Sequence, residues 1–222
     1  KLVKMEENIH KYKIFGRRKG RKKNLHGFDQ DFLKTILTKK ILLDKNNHNI
    51  LDIGSGSGEN SIYLSKKFPM AQIIACDNFE DGNLNLCKSI KINNIKNILI
   101  YNGNVLEIFD KITDQLFDSV WILFPDPWPK KKHFKRRLIS DIFIRNLGYV
   151  LKKNGKVHIV TDSKSYLRQV LNLVYLNRER YAWENQTKFD WEFDPDALQK
   201  TKFYKKAIKY DRKPIYIKLR KL

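Results

Sequence analysis

Short apolar runs alternate with amphipathic stretches through the middle of the chain. NILDIG at 49–54 reads as a buried strand running into glycines, and ENSIYLSKKF then repeats Ile62, Leu64 and Phe68 near helical spacing. QIIACD predicts a second strand ending at Asp77, with a helix from Asn83 to Ile92 behind it. NILIYNGN predicts a third strand, followed by a short helical turn over Val105–Phe109. LFDSVWILF is the fourth and leads into PDPWP, after which RLISDIFIRNLGYVL reads as a helix closed by a glycine turn at Gly155. KVHIVTD is the fifth strand, and a long helix runs on to about Arg180. KPIYIKL has strand alternation and pairs antiparallel, with a neighbour near Tyr181 to Glu184. Strands and helices at crossover spacing predict an α/β fold, a mostly parallel, doubly wound sheet with an antiparallel C-terminal strand. Upstream, Phe28, Phe32, Ile36 and Leu37 predict a helix over 27–43 covering the edge of the sheet. Residues 1–24 read as a basic arm, and residues 25–222 as a single domain with a basic C-terminal segment.

Charge changes this picture by its placement. The 222 residues carry a formal charge of +21, from 45 Lys and Arg against 24 Asp and Glu. Three blocks, Lys11–Lys23, Lys130–Arg137 and Lys200–Leu222, together hold 24 of those 45 basic residues. Clustering of this kind beside glycine, proline and aromatic residues favours an extended anionic partner over an ordinary solvated surface. The only cysteines, Cys76 and Cys87, lie in apolar or helical segments and read as reduced core thiols, which excludes a metal finger or a disulfide scaffold. No apolar run approaches the ~18 residues of a membrane span, and no signal-peptide core is present, so the expectation is a cytoplasmic protein without membrane contact.

The glycine stretch LDIGSGSG sets Asp52, Gly54, Ser55, Gly56 and Gly58 at the end of the first strand, where absent side chains permit a tight turn and close approach of a ligand. Its spacing is GxGxG, not the GxGxxG of dinucleotide sites. Asp77, with Asn78 beside it, can accept the hydroxyls of a ribose, or Asp77 can simply cap the following helix. Asn104 can turn its amide toward an adenine edge, aided by the backbone at Val105. All of these lie at the carboxyl ends of successive strands, the edge where open α/β sheets bind ligands. The series Asp52, Asp77 and Asn104 resembles the pattern of class I S-adenosylmethionine-dependent methyltransferases, a Rossmann-like fold.

FPDPWPKKKHFKRRL follows the fourth strand. Three prolines stiffen the backbone that carries Asp126 and Trp128, and Lys130, Lys132, His133, Lys135, Arg136 and Arg137 can meet phosphates. Alternatively Asp126 pairs with Arg136 and Trp128 plugs the end of the sheet. Together these residues resemble the PDPWxKxxHxKRR signature of the bacterial TrmB-type tRNA (guanine-N7)-methyltransferases, and the likeness extends to TDSKSY, TKFYKK and KPIYIKL. The resemblance implies S-adenosyl-L-methionine as cofactor, with S-adenosyl-L-homocysteine as product. It places Asp52 near the methionine end, Asp77 at the ribose and Asn104 at the adenine. Asp126 becomes a cofactor contact as well as the catalytic or substrate-orienting acid, and Lys130, Asp162, Thr201 and Tyr204 become substrate positions. It further implies tRNA as partner, position 46 of the variable loop as target, no metal, no obligatory protein partner, and a monomer or homodimer. Two residues depart from the family pattern: Asn104 stands where an aspartate is usual, and Tyr204 where a glutamate is usual. Two other functions share parts of the pattern, a methyltransferase acting on a different substrate and a noncatalytic RNA-binding protein.

Overall fold

The computed structural model describes Phe15, residues 37–38, residues 43–197 and residues 201–222. In chain order the strands are β1 (Leu37–Thr38), β2 (Asn49–Ile53), β3 (Gln72–Asp77), β4 (Ile98–Asn102), β5 (Phe117–Leu123), β6 (Leu151–Thr161), β7 (Tyr181–Trp183) and β8 (Ile215–Lys221). The α-helices are α1 (Glu59–Lys67), α2 (Glu80–Ile92), α3 (Val105–Lys111), α4 (Asp141–Val150), α5 (Lys164–Leu176), α6 (Lys188–Glu192) and α7 (Lys202–Lys209). A 3₁₀ helix covers Lys131–Arg136.

The strands form one sheet in the order β1-β4-β3-β2-β5-β6-β8-β7. The ladders from β1 to β6 are parallel, and β8 runs antiparallel to both β6 and β7. Strand order reverses at β2, which lies between β3 and β5, so the crevice for a ligand opens at the carboxyl ends of β2 and β5. Alternate residues of the strands feed two cores. Leu51, Ile53, Ile74, Val120 and Ile122 pack on one face with Phe143 and Ile144 of α4 and Val170 of α5. Ile50, Ile73, Ala75 and Trp121 pack on the other with Leu64 of α1 and Leu86, Cys87 and Ile90 of α2. Helices on both faces account for the continuous apolar runs, since no face of these strands meets water. Cys76 and Cys87 are buried free thiols.

Helix starts follow capping chemistry. The side chains of Asn104, Ser140, Ser163 and Thr201 accept backbone N–H bonds at the beginnings of α3, α4, α5 and α7. A buried bond, His158 Nδ1 to Asp194 Oδ2 at 2.6 Å, pins the segment after α6 to β6, and the imidazole lies flat on Trp121 with 3.8 Å between ring centres. Lys67 pairs with Asp196 of the same segment at 2.7 Å.

Three expectations need correction. Leu37 and Thr38 form a parallel bridge to Ile100 and Tyr101, so at those positions the chain is strand; the rest of the proposed 27–43 helix lies outside the described residues. Residues 137–140 precede α4, which begins only at its Ser140 cap. Gly155 lies inside β6, where the β5 register slips between Phe117 and Ser119. Beside Asn154, at φ 62°, it belongs to a bulge, because the strand begins directly after α4. Of the arm over 1–24, Phe15 alone is described. Among the described residues, no helix is long and apolar enough to cross a membrane.

Candidate functional site

The turn between β2 and α1 needs glycine in three places. Gly54, Gly56 and Gly58 have φ of +74°, +55° and +82°, a region that side chains disfavour. The turn is bound to the next strand by Gly54 N–H donating to the Cys76 carbonyl, and closed on itself by Gly58 N–H donating to the Ser55 carbonyl. A Cβ at Gly54 would meet nothing within 4 Å, so the turn faces open space. That space is an open cleft lined by Asp52, residues 54–57, Glu59, Asn60, Leu123, Phe124 and residues 201–203. Two buried atoms at its wall, Ser55 Oγ and Asn60 Oδ1, have no hydrogen-bond partner among the described residues. Unpaired polar atoms in such a place are costly unless a ligand meets them.

Asp52 sits at the floor, 2% exposed, and accepts from Asn60 Nδ2 at 2.9 Å and Ser61 Oγ at 2.6 Å. Burial, with a smaller contribution from the Asp77 charge, pushes its pKa up to about 6 despite these two bonds. A carboxyl that binds its proton more tightly when folded stabilises the protein below the unfolded carboxylate range, and that contribution is lost as pH rises through about 6. Carboxyl NMR should therefore show Asp52 titrating near pH 6. Denaturation at pH 4.5 and 7 should show Asp52→Asn escaping this part of the loss; equal pH dependence in the two proteins would refute the assignment.

Asp77 uses both oxygens on backbone. Oδ2 accepts from Gly56 N–H at 2.7 Å and Oδ1 from Phe79 N–H at 2.8 Å, so it holds the glycine turn and also caps the approach to α2. A carboxylate has further lone pairs, so these bonds leave acceptor capacity. Asn104 Oδ1 is committed to Leu106 N–H at 3.0 Å, while its Nδ2 has no partner among the described residues. Asn78 is half-buried beside Asp77, and Val105 is buried at the first position of α3.

The start of α7 closes the cleft from above. Thr201 caps the helix by accepting from Tyr204 N–H, Lys202 N–H donates to Glu59 Oε2 at 2.9 Å, and Lys202 Nζ reaches Ser57 Oγ at 3.2 Å. The Phe203 ring lies over Phe124, with 6.3 Å between centres. Tyr204, half-buried, contributes its backbone to the cap, and burial first, then the neighbouring Tyr204, raises the Tyr216 pKa. Asp162 pairs with Arg212, downstream of α7, at 3.3 Å.

The loop after β5 begins and ends its turn under strain. Phe124 has φ 52° and Trp128 φ 39°, positions that a bulky side chain occupies only when its surroundings hold it there. Asp126 stands exposed between them, two residues beyond Phe124 of the cleft wall. Partial withdrawal from water and the Asp77 charge raise its pKa, while Lys206 opposes the rise. Arg136 does not pair with Asp126. Its guanidinium lies over the Trp128 ring at 5.0 Å and over Phe15 at 5.4 Å. His133 stands edge-on to Trp128, and its pKa is lowered by desolvation and by Arg136 and Lys130. Lys130, Lys131, Lys132 and Lys135 are exposed.

Arg137 departs from its expected role as a phosphate contact. It is 4% exposed, and its guanidinium bonds to Pro127, Ser165 and Gln169 of the protein itself. Of the other sequence-derived residues, Asp52, the glycine turn and Thr201 line the cleft, whereas Asp77, Asn104 and Asp126, at or beyond the carboxyl ends of β3, β4 and β5, and the lysines after Asp126 are not part of its lining. Sequence reasoning missed Asn60, Ser61, Glu59, Lys202 and Gly82. The first three had a signal in their position directly after the glycine turn; the last two act across the fold and had none.

Comparison with known proteins bears on the family and the fold. The family model described as "Putative methyltransferase" matches residues 46–216. A tRNA (guanine-N(7)-)-methyltransferase of Neisseria meningitidis is 35% identical over 177 residues, covering 79% of this chain and 73% of the relative. One from Erythrobacter litoralis is 30% identical over 171 residues, covering 77% and 73%. Among solved structures, the N-methyltransferase NodS of Bradyrhizobium japonicum, in complex with S-adenosyl-L-homocysteine, aligns with a TM-score of 0.51 and 13% identity. It covers 86% of this chain and 84% of NodS, a likeness of fold alone.

Proposed function

The chain belongs to the TrmB family of class I S-adenosylmethionine-dependent methyltransferases, and from that membership we propose that it methylates N7 of a guanine in tRNA, with position 46 of the variable loop as the target. The observation that carries the reading is the loop after β5, which leaves the cleft wall at Phe124, holds Asp126 exposed two residues on and sets four exposed lysines beyond it.

The chemistry of the residues along this edge suits S-adenosylmethionine. Gly54, Ser55 and Asn60 would hold the methionyl end, with Ser55 Oγ and Asn60 Oδ1 as the polar atoms available to its charged groups. Remaining lone pairs on Asp77 suit ribose hydroxyls, and Asn104 Nδ2 suits a ring nitrogen. When bound, the cofactor supplies a methyl group activated by a sulfonium.

Guanine N7 has an in-plane lone pair and no proton to lose, so the residues need only align it, without a general base. The rigid loop fixes the direction of Asp126, whose carboxylate orients the base and balances the positive charge that methylation develops on the purine. Lys130, Lys131, Lys132 and Lys135 hold phosphates and offset the few kcal/mol of unstacking the guanine. Tyr204, lacking the usual carboxylate, leaves Thr201 to shape this wall by its cap.

To test the reading, the protein is incubated with methyl-labelled cofactor and unmodified tRNA, and the labelled nucleotide is mapped. N7-methylguanosine at position 46 is the expected product. Label on an exocyclic nitrogen, on another RNA or on no RNA would reject the proposal.

A further inference from the structure

Arg137 sits between two loops that carry candidate substrate residues, yet its own side chain is withdrawn from solvent. Nε donates to the Pro127 carbonyl at 2.8 Å, in the loop of Asp126. Nη1 donates to Gln169 Oε1 at 2.8 Å and the Ser165 carbonyl at 3.2 Å, and Nη2 donates to Ser165 Oγ at 2.8 Å, all on α5. The guanidinium is stacked 3.7 Å from the Phe134 ring centre and lies 5.0 Å from that of Tyr166. Gln169 in turn donates to the Ile139 carbonyl, and Ser165 Oγ lies 3.3 Å from Ser163 Oγ, next to Asp162.

We propose that Arg137 is a positioning residue for methyl transfer, fixing the Asp126 loop against the start of α5 and so setting the spacing between Asp126 and Asp162. The inference rests on the reading of function given above. Every acceptor it meets is neutral. A buried cation among neutral oxygens is a costly means of packing, and an apolar side chain fills space without that cost. What the guanidinium adds is a planar fork that bonds in three directions at once, which lysine cannot reproduce. Its bond to Pro127 falls between Phe124 and Trp128, the two strained positions, where an external restraint is needed to keep the backbone from relaxing. The glycine turn and Asp77 lie outside this network, so cofactor binding is independent of it.

The test uses the full chain with Arg137→Lys and, as a milder variant, Gln169→Leu. Four quantities are measured: cofactor-product affinity by calorimetry, thermal midpoint, single-turnover methylation at saturating tRNA, and the ¹⁹F resonance of Trp128 in 5-fluorotryptophan-labelled protein, assigned with Trp128→Phe. Arg137→Lys should slow transfer about 100-fold, change cofactor affinity less than about twofold, and shift or split the Trp128 resonance, while Gln169→Leu slows transfer about tenfold. An unchanged rate and an unchanged Trp128 signal would overturn the proposal. So would a rate that falls only in step with cofactor affinity and folded fraction, which marks a merely structural role. If the wild-type protein methylates no tRNA, the functional reading fails instead, and the Trp128 resonance still reports whether Arg137 holds the loop.

Discussion

Replacing Asp126 by alanine is expected to slow single-turnover methyl transfer by about 10²–10³-fold while leaving cofactor affinity within about twofold. The two effects separate because Asp126 stands exposed outside the lining of the cleft, whereas the floor and glycine turn are held by Asp52, Asn60, Ser61 and Asp77. Its proposed partner is a purine that becomes cationic, so the charge matters as well as the acceptor atom. Asp126→Asn keeps an acceptor without the charge and should lose about tenfold. Because Asp126 has a raised pKa, the wild-type rate should fall on acidification at a pH above the usual aspartate range, and Asp126→Asn should lack that step. Calorimetry with the cofactor product, paired with quenched single-turnover assays at several pH values, checks all three statements. Transfer at the wild-type rate by both variants would remove Asp126 from the reaction.

Gly82→Ala should damage cofactor binding from outside the cleft. A Cβ at this position in the first turn of α2 would strike the carbonyl group of Gly56, its carbon at 2.8 Å, and the Phe79 ring at 2.7 Å. The ring can turn, but Gly56 is backbone, and its N–H is already fastened to Asp77. The glycine turn must therefore move as a unit. Overpacking of this kind costs about 1–3 kcal/mol of stability, and displacement of the turn should weaken cofactor binding about 100-fold. Gly54→Ala makes a useful contrast, since it meets no atom within 4 Å and is opposed only by its φ of +74° and by filling the cleft. Denaturant titration and calorimetry distinguish the two. Gly82→Ala with normal stability and affinity would show that the turn tolerates the shift.

The fold was legible wherever a strand is buried on both faces. QIIACD coincides with β3 because six consecutive residues, apolar in the middle and ended by a turn acid, allow few alternatives. β7 and β8 pair as their alternation suggests. The helix over 27–43 is contradicted at Leu37 and Thr38, where a short apolar run suits either period and the parallel edge of β4 decides. Gly155 misled because glycine marks both helix ends and strand bulges, and the distinction lies in the β5 register.

The site was legible along the chain but less so across it. Asp52, the glycines, Asp77 and Asp126 follow strand ends and are found by position alone. Arg136 and Arg137 are indistinguishable in a basic run, although one lies over Trp128 and the other is buried against α5. Gly82 reads as an ordinary helical glycine until Gly56 is seen beside it. His158 and Asp194, 36 residues apart, form their buried bond with no sequence signal.

The place of β8 has a bearing on how the chain is made. It lies between β6 and β7, so during synthesis β6 keeps an unpaired edge, and β7 has no neighbour, until the ribosome has released residues 215–221. Because α7 is the connection that delivers β8, Thr201, Lys202 and Phe203 settle over the glycine turn in the same late step. The wall of the cleft formed by residues 201–203 is thus tied to the joining of β8, so a lesion in β8 should disturb the cleft as well as the edge of the sheet.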